Sequence, residues 1–206
     1  MYIKNPELIE TKSFEIIDEG MTPHNFTDEE LNVVKRTIHT TGDFDYQNIV
    51  IFKNNPIEIG IETIRSGCRI VTDTMMGFSG INKRALQKAN CTMDNYVSHE
   101  EVFKIAKEKE ITRSMAAVDF ALSEGVDIFV VGNAPTALFR IGELIKEGKA
   151  SPKLIIGVPV GFVGAKESKE YIREFNIPTI TTKGTKGGSN VAASIVNALL
   201  YMAVGR

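Results

Sequence analysis

Hydrophobic and polar positions follow a repeated pattern in the second half of the chain. Three short apolar or β-branched runs each end in a loop of small residues and continue with helical spacing. These segments are DIFVVGNAPTALF (127–139), KLIIGVPVGFVGAKES (153–168) and PTITTKGTKGGSNVAAS (178–194). Continuous apolar runs are typical of strands that are buried on both faces of a sheet. The pattern therefore predicts parallel strands connected by crossover helices.

Local signals predict the elements of the first half. Thr27 followed by Glu30 is a capping-box pattern, so the first predicted helix begins there and ends at Gly42. Another helix is predicted from Pro56 to Gly67. The remaining predictions are extended segments at 48–53 and 68–73, a loop at 74–81, one or two helices within 99–124 and an apolar helix at 189–204. Together they predict a three-layer α/β/α fold, Rossmann-like, with a mainly parallel sheet, as a single domain over residues 1–206.

Composition excludes several classes of protein. A net charge of −2 provides no basic field that would attract nucleic acid or a membrane surface. No apolar stretch approaches the ~18 residues that span a bilayer, and the first residues lack the apolar core of a signal peptide. We therefore expect a cytoplasmic protein. Cys68 and Cys91 form no CxxC motif, and the dispersed histidines form no metal-ligand spacing, so we expect two free thiols and no metal site.

The loops after the predicted strands indicate a binding site for an anion. Ligands of open parallel sheets bind beyond the carboxyl ends of the strands, where helix N-termini and backbone N–H groups favour negative charge. The segment TTKGTKGGSN (181–190) adds glycines and the cations Lys183 and Lys186. It contains neither a Walker A motif nor a dinucleotide fingerprint. A glycine-rich turn that merely starts a helix remains the alternative.

Several individual side chains could have either a functional or a structural role. His39 could exchange protons near neutral pH or cap the end of its helix. Asn133 could bind a ligand or brace its loop, and Arg113 could pair with a carboxylate of a neighbouring helix or bind one of a ligand. Lys12 and Ser13 could cap a helix or face a ligand. For Asp43 and Asp45, which could orient His39, we expect solvent-exposed loop positions.

The amino-acid sequences of the loops resemble those of a known family. GNAPTALF, GVPVGFVGAKESK and KGGSN occur in this order, preceded by RTIHTTG (36–42) and ETKSFEII (10–17). From about residue 10 onward, the chain resembles the precorrin-8X methylmutases of cobalamin biosynthesis, including the cobalt-precorrin-8 methylmutases of the anaerobic route. The resemblance implies an isomerase that moves a methyl group from C-11 to C-12 of a tetrapyrrole without an organic cofactor. The products would be hydrogenobyrinate or cobyrinate.

The resemblance also implies roles for particular residues. His39 matches a histidine that donates a proton to a ring nitrogen of the substrate. The implied substrate-binding residues are Lys12, Ser13, Arg113, Ser114, Asn133, Ala134, Thr136, Gly161, Lys186, Gly187, Gly188 and Ser189. Many relatives carry Arg where Lys12 stands, and relatives often differ at Thr185 and Lys186; either change could alter which substrate carboxylates are bound. The family further implies a homodimer with sites near the subunit interface.

Three hypotheses follow for the function of the protein. The methylmutase is the first, and it leaves open whether the natural substrate carries cobalt. The second is a nucleotide- or phosphate-dependent α/β enzyme that uses KGGSN as a phosphate loop. The third is a tetrapyrrole carrier that has the same pocket and performs no proton transfer.

Overall fold

The computed structural model describes residues 4–206, so residues 1–3 of the predicted domain lie outside the described part. Within the described range, six strands form one sheet in the order β1-β6-β5-β4-β2-β3. The strands are β1 (Val50–Lys53), β2 (Arg69–Thr72), β3 (Thr92–Asp94), β4 (Ile128–Val131), β5 (Leu154–Gly157) and β6 (Thr179–Thr182). All neighbours pair in parallel except β1, which runs antiparallel to β6. The prediction of a mainly parallel sheet is confirmed.

Eleven helices are present in the same range. They are α1 (Pro6–Gly20), α2 (Asp28–Thr41), α3 (Tyr46–Ile49), α4 (Pro56–Arg65), α5 (Met75–Gly80), α6 (Lys83–Lys88), α7 (Glu100–Glu108), α8 (Arg113–Glu124), α9 (Pro135–Lys146), α10 (Ala165–Ile172) and α11 (Ser189–Val204). The predicted capping box at the start of α2 is formed, because Thr27 and Glu30 each accept the other's backbone N–H. Gly42 ends the helix at a φ of 66°.

Helices cover both faces of the sheet because its strands are apolar on both sides. Leu154 and Ile156 of β5 pack with residues of α2, α4 and α11, whereas Ile155 between them packs with residues of α8, α9 and α10. Side chains of a strand alternate between faces, so one continuous apolar strand supplies both cores. The three-layer α/β/α fold is therefore confirmed. The apolar helix predicted at 189–204 is α11, and most of its side chains are buried in one of these layers.

Three predicted elements differ from the structure. The helix predicted as the first is preceded by α1, whose N-terminus is capped by the side chain of Asn5 with a proline at the start. The predicted loop at 74–81 contains the short helix α5, because the hydroxyl of Thr74 accepts the N–H of Gly77 at 3.0 Å. The extended segment predicted from residue 48 begins only at Val50, after the single turn of α3.

The two cysteines meet at the edge of the sheet. Their Sγ atoms lie 3.3 Å apart, and both residues are free thiols. They stand next to each other because Cys68 and Cys91 directly precede the paired residues Arg69 and Thr92 of β2 and β3. These are the amino ends of both strands, opposite the edge at which the carboxyl ends lie.

Candidate active site

Strand direction decides which loops share one edge of the sheet. The carboxyl ends of the five parallel strands β2 to β6 lie at this edge. Because β1 is antiparallel, its first residue Val50 pairs with Thr182, the last residue of β6. The segment between α2 and β1 therefore lies beside the loop that follows β6. This arrangement brings the end of the His39 helix to the predicted ligand edge.

The loops after β4, β5 and β6 pack side by side, as predicted. The N–H of Gly188 donates to the carbonyl of Val158 at 2.9 Å, and the N–H of Gly161 donates to that of Thr185 at 3.1 Å. A Cβ atom on Gly187 would lie only 2.1 Å from the Val158 oxygen, so this approach requires glycine. A Cβ on Gly132 would lie 2.6 Å from Cα of Ser189. The glycines thus allow the three loops to form one wall.

The helices that follow β2 and β4, which are neighbours in the sheet, pack on opposite faces of it. The helix α5 after β2 packs on α11 at one face, and α9 after β4 packs on α8 and α10 at the other. Such a topological switch point opens a crevice between the carboxyl ends of two strands, where open α/β sheets bind their ligands.

A largely buried carboxylate occupies this crevice. Asp73 directly follows β2 and accepts the N–H groups of Gly132, Asn133 and Ala134 at 2.9, 2.8 and 2.8 Å. Burial raises the pKa of the Asp73 carboxyl, and the three N–H groups act in the opposite direction. The expectation that these N–H groups face an anionic ligand is therefore wrong, since an internal anion already accepts them. The side chain of Asn133 remains exposed.

Sequence reasoning missed Asp73, although a signal was present. A carboxylate that directly ends a buried strand, CRIVTD, lies at the edge where neighbouring loops present N–H groups. The partner loop could not be named from the sequence because β2 and β4 are separated by β3 along the chain.

His39 stands in the last turn of α2 with an exposed side chain. Its ring stacks on Phe14 of α1, with centroids 5.4 Å apart and planes 6° apart. The guanidinium of Arg36 lies 4.9 Å from the centroid of the same phenyl ring. Partial burial, and then the positive charge of Arg36, lower the pKa of His39 below its usual 6.5. The protonated imidazolium of His39 is therefore a stronger acid than that of a free histidine.

Lys186 links the segment after His39 to the loop after β6. Its Nζ atom lies 2.6 Å from Asp43 Oδ2 and 3.1 Å from Asp45 Oδ2. The hydrogen bond from Lys186 lowers the pKa of Asp43, and the two carboxylates raise the pKa of Lys186. The two aspartates were expected to be solvated or to orient His39, and they pair with Lys186 instead. In addition, the hydroxyl of Tyr46 donates to the Gly187 carbonyl at 3.5 Å.

Lys12 and Ser13 lie in the middle of α1, so neither caps a helix. The Ser13 hydroxyl donates to the carbonyl of Ile9 at 2.7 Å, and Lys12 forms an exposed ion pair with Glu15 at 3.0 Å. The hydrogen bond from Lys12 to Glu15 is the main reason that the pKa of Lys12 is raised. Ser13 directly precedes Phe14, the ring on which His39 stacks, and Lys12 lies one residue further back.

Arg113 and Ser114 begin α8, on the other side of the crevice. Thr112 caps this helix, and its hydroxyl donates to that of Thr136 in α9 at 3.1 Å. Arg113 is exposed, with its guanidinium 5.1 Å from the centroid of Phe103. Over residues 4–206 no carboxylate forms an ion pair with Arg113, so the pairing with a neighbouring helix that the sequence left open is not formed. Ser114 lines a small cavity together with Asp73.

Ser189 begins α11 and is held by a second hydroxyl. Its Oγ lies 2.8 Å from Oγ1 of Thr74, the residue that caps α5. No side chain caps α11, and Gly188 before it adopts a φ of 137°. The first N–H groups of a helix have no acceptor within that helix. The start of α11 therefore keeps the N–H groups that an anion can accept.

Exposed apolar side chains surround the crevice. After β5, Phe162 and Val163 are 94% and 89% exposed, and after β2 Met76 is 69% exposed. These side chains follow two of the parallel strands at the edge where the carboxyl ends lie. Val158 at the start of the β5 loop is fully buried and belongs to the core.

The described residues contain neither a metal-binding cluster nor a membrane-spanning helix. No cluster there brings together three or more His, Cys, Asp or Glu side chains able to hold a metal ion. None of the described helices combines the length and the apolar character needed to cross a membrane.

A known enzyme family matches nearly the whole chain. The family model of precorrin-8X methylmutase matches residues 8–202. Similar relatives are the cobalt-precorrin-8 methylmutases of Leptospira interrogans, 46% identical over 94% of this chain and 92% of the relative, and of Salmonella typhimurium, 45% identical over 97% of each. A crystal structure of precorrin-8x methyl mutase from Thermus thermophilus superposes with a TM-score of 0.89 and 38% identity over 96% of each chain. The protein is an isomerase of corrin biosynthesis that moves a methyl group within one substrate. The chain belongs to the precorrin-8X methylmutase family.

Proposed function

We propose that the protein converts precorrin-8X or cobalt-precorrin-8 to hydrogenobyrinate or cobyrinate by moving the C-11 methyl group to C-12. The names of the relatives support this substrate class. The observation that carries the proposal is the Lys186 ion pair with Asp43, because it connects the His39 segment to the glycine loops at one edge. A histidine acid and an anion-binding loop in one site favour the methylmutase over a phosphate-loop enzyme.

The surroundings of the crevice match the chemistry of this substrate. A precorrin is a flat apolar ring with carboxylates at its rim. Phe162, Val163 and Met76 offer apolar surface for the ring. Arg113 and the start of α11 offer a cation and N–H groups for its carboxylates. We infer that the other residues implied by the resemblance also contact the tetrapyrrole.

We infer that His39 acts as the acid of the reaction. Its imidazolium donates a proton to a ring nitrogen, and the C-11–CH₃ bond breaks as the C-12–CH₃ bond forms on the same ring. The proton returns to the imidazole, so the reaction needs neither an oxidant nor a second substrate. The stack on Phe14 holds the imidazole in one orientation. A positioned acid of this kind contributes ~10² to 10⁴ in rate.

The test follows the visible spectrum of the purified protein mixed with the precursor, with and without cobalt. Conversion to the more conjugated corrin without added cofactor supports the proposal, and the faster of the two reactions identifies the metal state. His39→Ala is expected to bind the precursor and to lose turnover. His24→Ala is the matched control and keeps wild-type turnover. Binding without conversion by the wild type would favour the carrier, and full turnover by His39→Ala would remove the proposed acid.

We further infer that the protein is a homodimer. Leu8, Ile9 and Ile16 of α1 are 57%, 45% and 52% exposed, which supports a contact of α1 with a second copy. Sedimentation velocity should give about twice the 22.7 kDa mass of one chain. A sedimenting species of monomer mass at micromolar concentration would contradict the dimer. The cytoplasmic location stays a prediction.

A further inference from the structure

A fully buried lysine lies behind the loop that follows β6. Lys169 of α10 has no exposed surface, and its Nζ donates to Oγ1 of Thr182 at 3.1 Å and to the carbonyl of Lys186 at 2.9 Å. Oγ1 of Thr182 donates to the same carbonyl at 2.7 Å. The three groups close a triangle that holds both ends of the turn from residue 182 to residue 186.

The charge of Lys169 has no counterion in the described part of the chain. No carboxylate forms an ion pair with it, and the charged group that acts on it is the guanidinium of Arg173, which is also positive. Arg173 in turn donates to Oγ1 of Thr181 at 3.0 Å. The ammonium of Lys186 points away, to Asp43 and Asp45. A buried cation without a counterion destabilises the fold, so its presence requires another explanation.

The peptide bond between Lys186 and Gly187 connects this cation to the ligand edge. A trans peptide is planar, so the N–H of Gly187 points opposite to the Lys186 carbonyl that Lys169 binds. Within residues 4–206 the Gly187 N–H has no hydrogen-bond acceptor. A hydrogen bond to the carbonyl polarises the same peptide and strengthens its N–H as a donor.

We propose that Lys169 is a positioning residue of the methylmutase site, which orients and polarises the Gly187 peptide for a carboxylate of the substrate. This inference rests on the proposed function, because the carboxylate belongs to the tetrapyrrole. Lys169 touches no substrate atom and acts through the Lys186 carbonyl. Its positive charge is then balanced only when the substrate is bound.

The first test separates binding from turnover. Lys169→Met is expected to raise KM and Kd for the precursor at least tenfold and to change kcat less than threefold, because a contact remote from the migrating methyl group is lost. Lys169→Arg keeps the charge and should restore Kd to within threefold of the wild type. The control is Lys53→Met, since Lys53 also donates to backbone carbonyls, those of Arg173 and Phe175, without contacting the site loops. A KM of Lys169→Met within twofold of the wild type would overturn the inference.

The second test uses pH and keeps the inference falsifiable if Lys169→Met does not fold. Burial, and then Arg173, lower the pKa of Lys169 to about 8. Above this pH the free protein loses the charge, so Kd for the precursor should rise, by up to about tenfold per pH unit. Lys169→Arg stays charged and should bind with constant Kd between pH 7 and 9.5. A wild-type Kd that is constant over this range contradicts the inference.

The other groups with shifted pKa values can be distinguished from Lys169 in this pH range. The pKa of Cys91 is about 7, but Cys91 lies at the opposite edge of the sheet, and Cys91→Ala should keep the wild-type pH profile. The pKa of Lys186 is raised, and that of His39 is below its usual 6.5, so neither titrates near pH 8. A wild type that neither binds nor converts the precursor would refute the proposed function itself. A wild type that converts it with no effect of Lys169→Met would refute only the role of Lys169.

Discussion

The Nζ atom of Lys186 lies 2.6 Å from Oδ2 of Asp43, across 143 residues of sequence. This ion pair holds the segment after the His39 helix against the loop after β6. Because Lys186 is expected to bind a substrate carboxylate, the carboxylate of Asp43 competes for the same ammonium. The pair thus keeps the cation in place before substrate arrives.

Replacing Lys186 should therefore affect binding more than stability. Lys186→Met is expected to raise Kd for the precursor several-fold and to leave the melting temperature almost unchanged, since exposed ion pairs contribute little to stability. The Kd of the wild type should also rise with salt concentration more steeply than that of the variant. Lys166→Met removes an exposed cation of α10 as a control and should leave Kd unchanged. Equal salt dependence of wild type and Lys186→Met would contradict the prediction.

The pKa of His39 predicts the pH dependence of turnover. Only the protonated imidazole donates a proton, and the pKa of His39 is lowered below 6.5. The kcat/KM of the free enzyme should therefore fall as the pH rises through this lowered pKa. Arg36→Gln removes one cause of the lowered pKa and should move this fall to higher pH. Lys35→Gln changes the neighbouring cation, which pairs with Asp18, and should not move it. An unshifted profile of Arg36→Gln would show that burial alone lowers the pKa.

Asp73 should contribute to both stability and catalysis. Asp73→Asn places an amide nitrogen where at least one backbone N–H needs an acceptor, which should cost about 1 to 3 kcal/mol in the free energy of unfolding. The displaced Gly132–Ala134 loop should also lower kcat/KM. Asp127→Asn is the control, because Asp127 accepts the N–H of Arg69 at 2.9 Å at the amino end of the sheet. Both variants should lose stability in urea unfolding, and only Asp73→Asn should lose activity.

The contact of Gly187 with Val158 predicts a steric effect. In Gly187→Ala the new Cβ would lie 2.1 Å from the Val158 oxygen, so the two loops must separate. A displacement of about 1 Å in a site can lower the rate about 10²-fold. Gly148→Ala tests backbone strain alone, since Gly148 has a φ of +69° and nothing within 4 Å of the new Cβ. We expect steady-state kinetics to show a large loss in kcat/KM for Gly187→Ala and none for Gly148→Ala.

The two thiols should differ in reactivity. The hydrogen bond from Cys68 lowers the pKa of Cys91 to about 7, whereas that hydrogen bond and burial raise the pKa of Cys68. Iodoacetamide should therefore modify Cys91 first, with a rate that rises through about pH 7, as peptide mass spectrometry can measure. Cys68→Ala should move this midpoint to higher pH. Equal modification of both thiols at neutral pH would contradict the prediction.

Much of the site was predictable because its signals are local or repeated. The three strand–loop–helix units place their loops at one edge in any parallel sheet, whatever the strand order. Lys169 was missed, yet its position carried a signal. Ala165, Ser168 and Ile172 share the buried face of α10 with Lys169, so helical periodicity alone indicates a buried lysine.

The sequence by itself determined the features that depend on neighbours a few residues apart. The Thr27–Glu30 cap, the stop at Gly42 and the continuous apolar strands are examples, because each uses interactions within one turn or one strand. Only the tertiary structure decided that β1 is antiparallel and that β2 lies beside β4. Those pairings bring Asp43 to Lys186 and Asp73 to the Gly132 loop. The physical reason is that hydrogen bonds and ion pairs act over a few ångströms, whereas strand order selects which distant residues come that close.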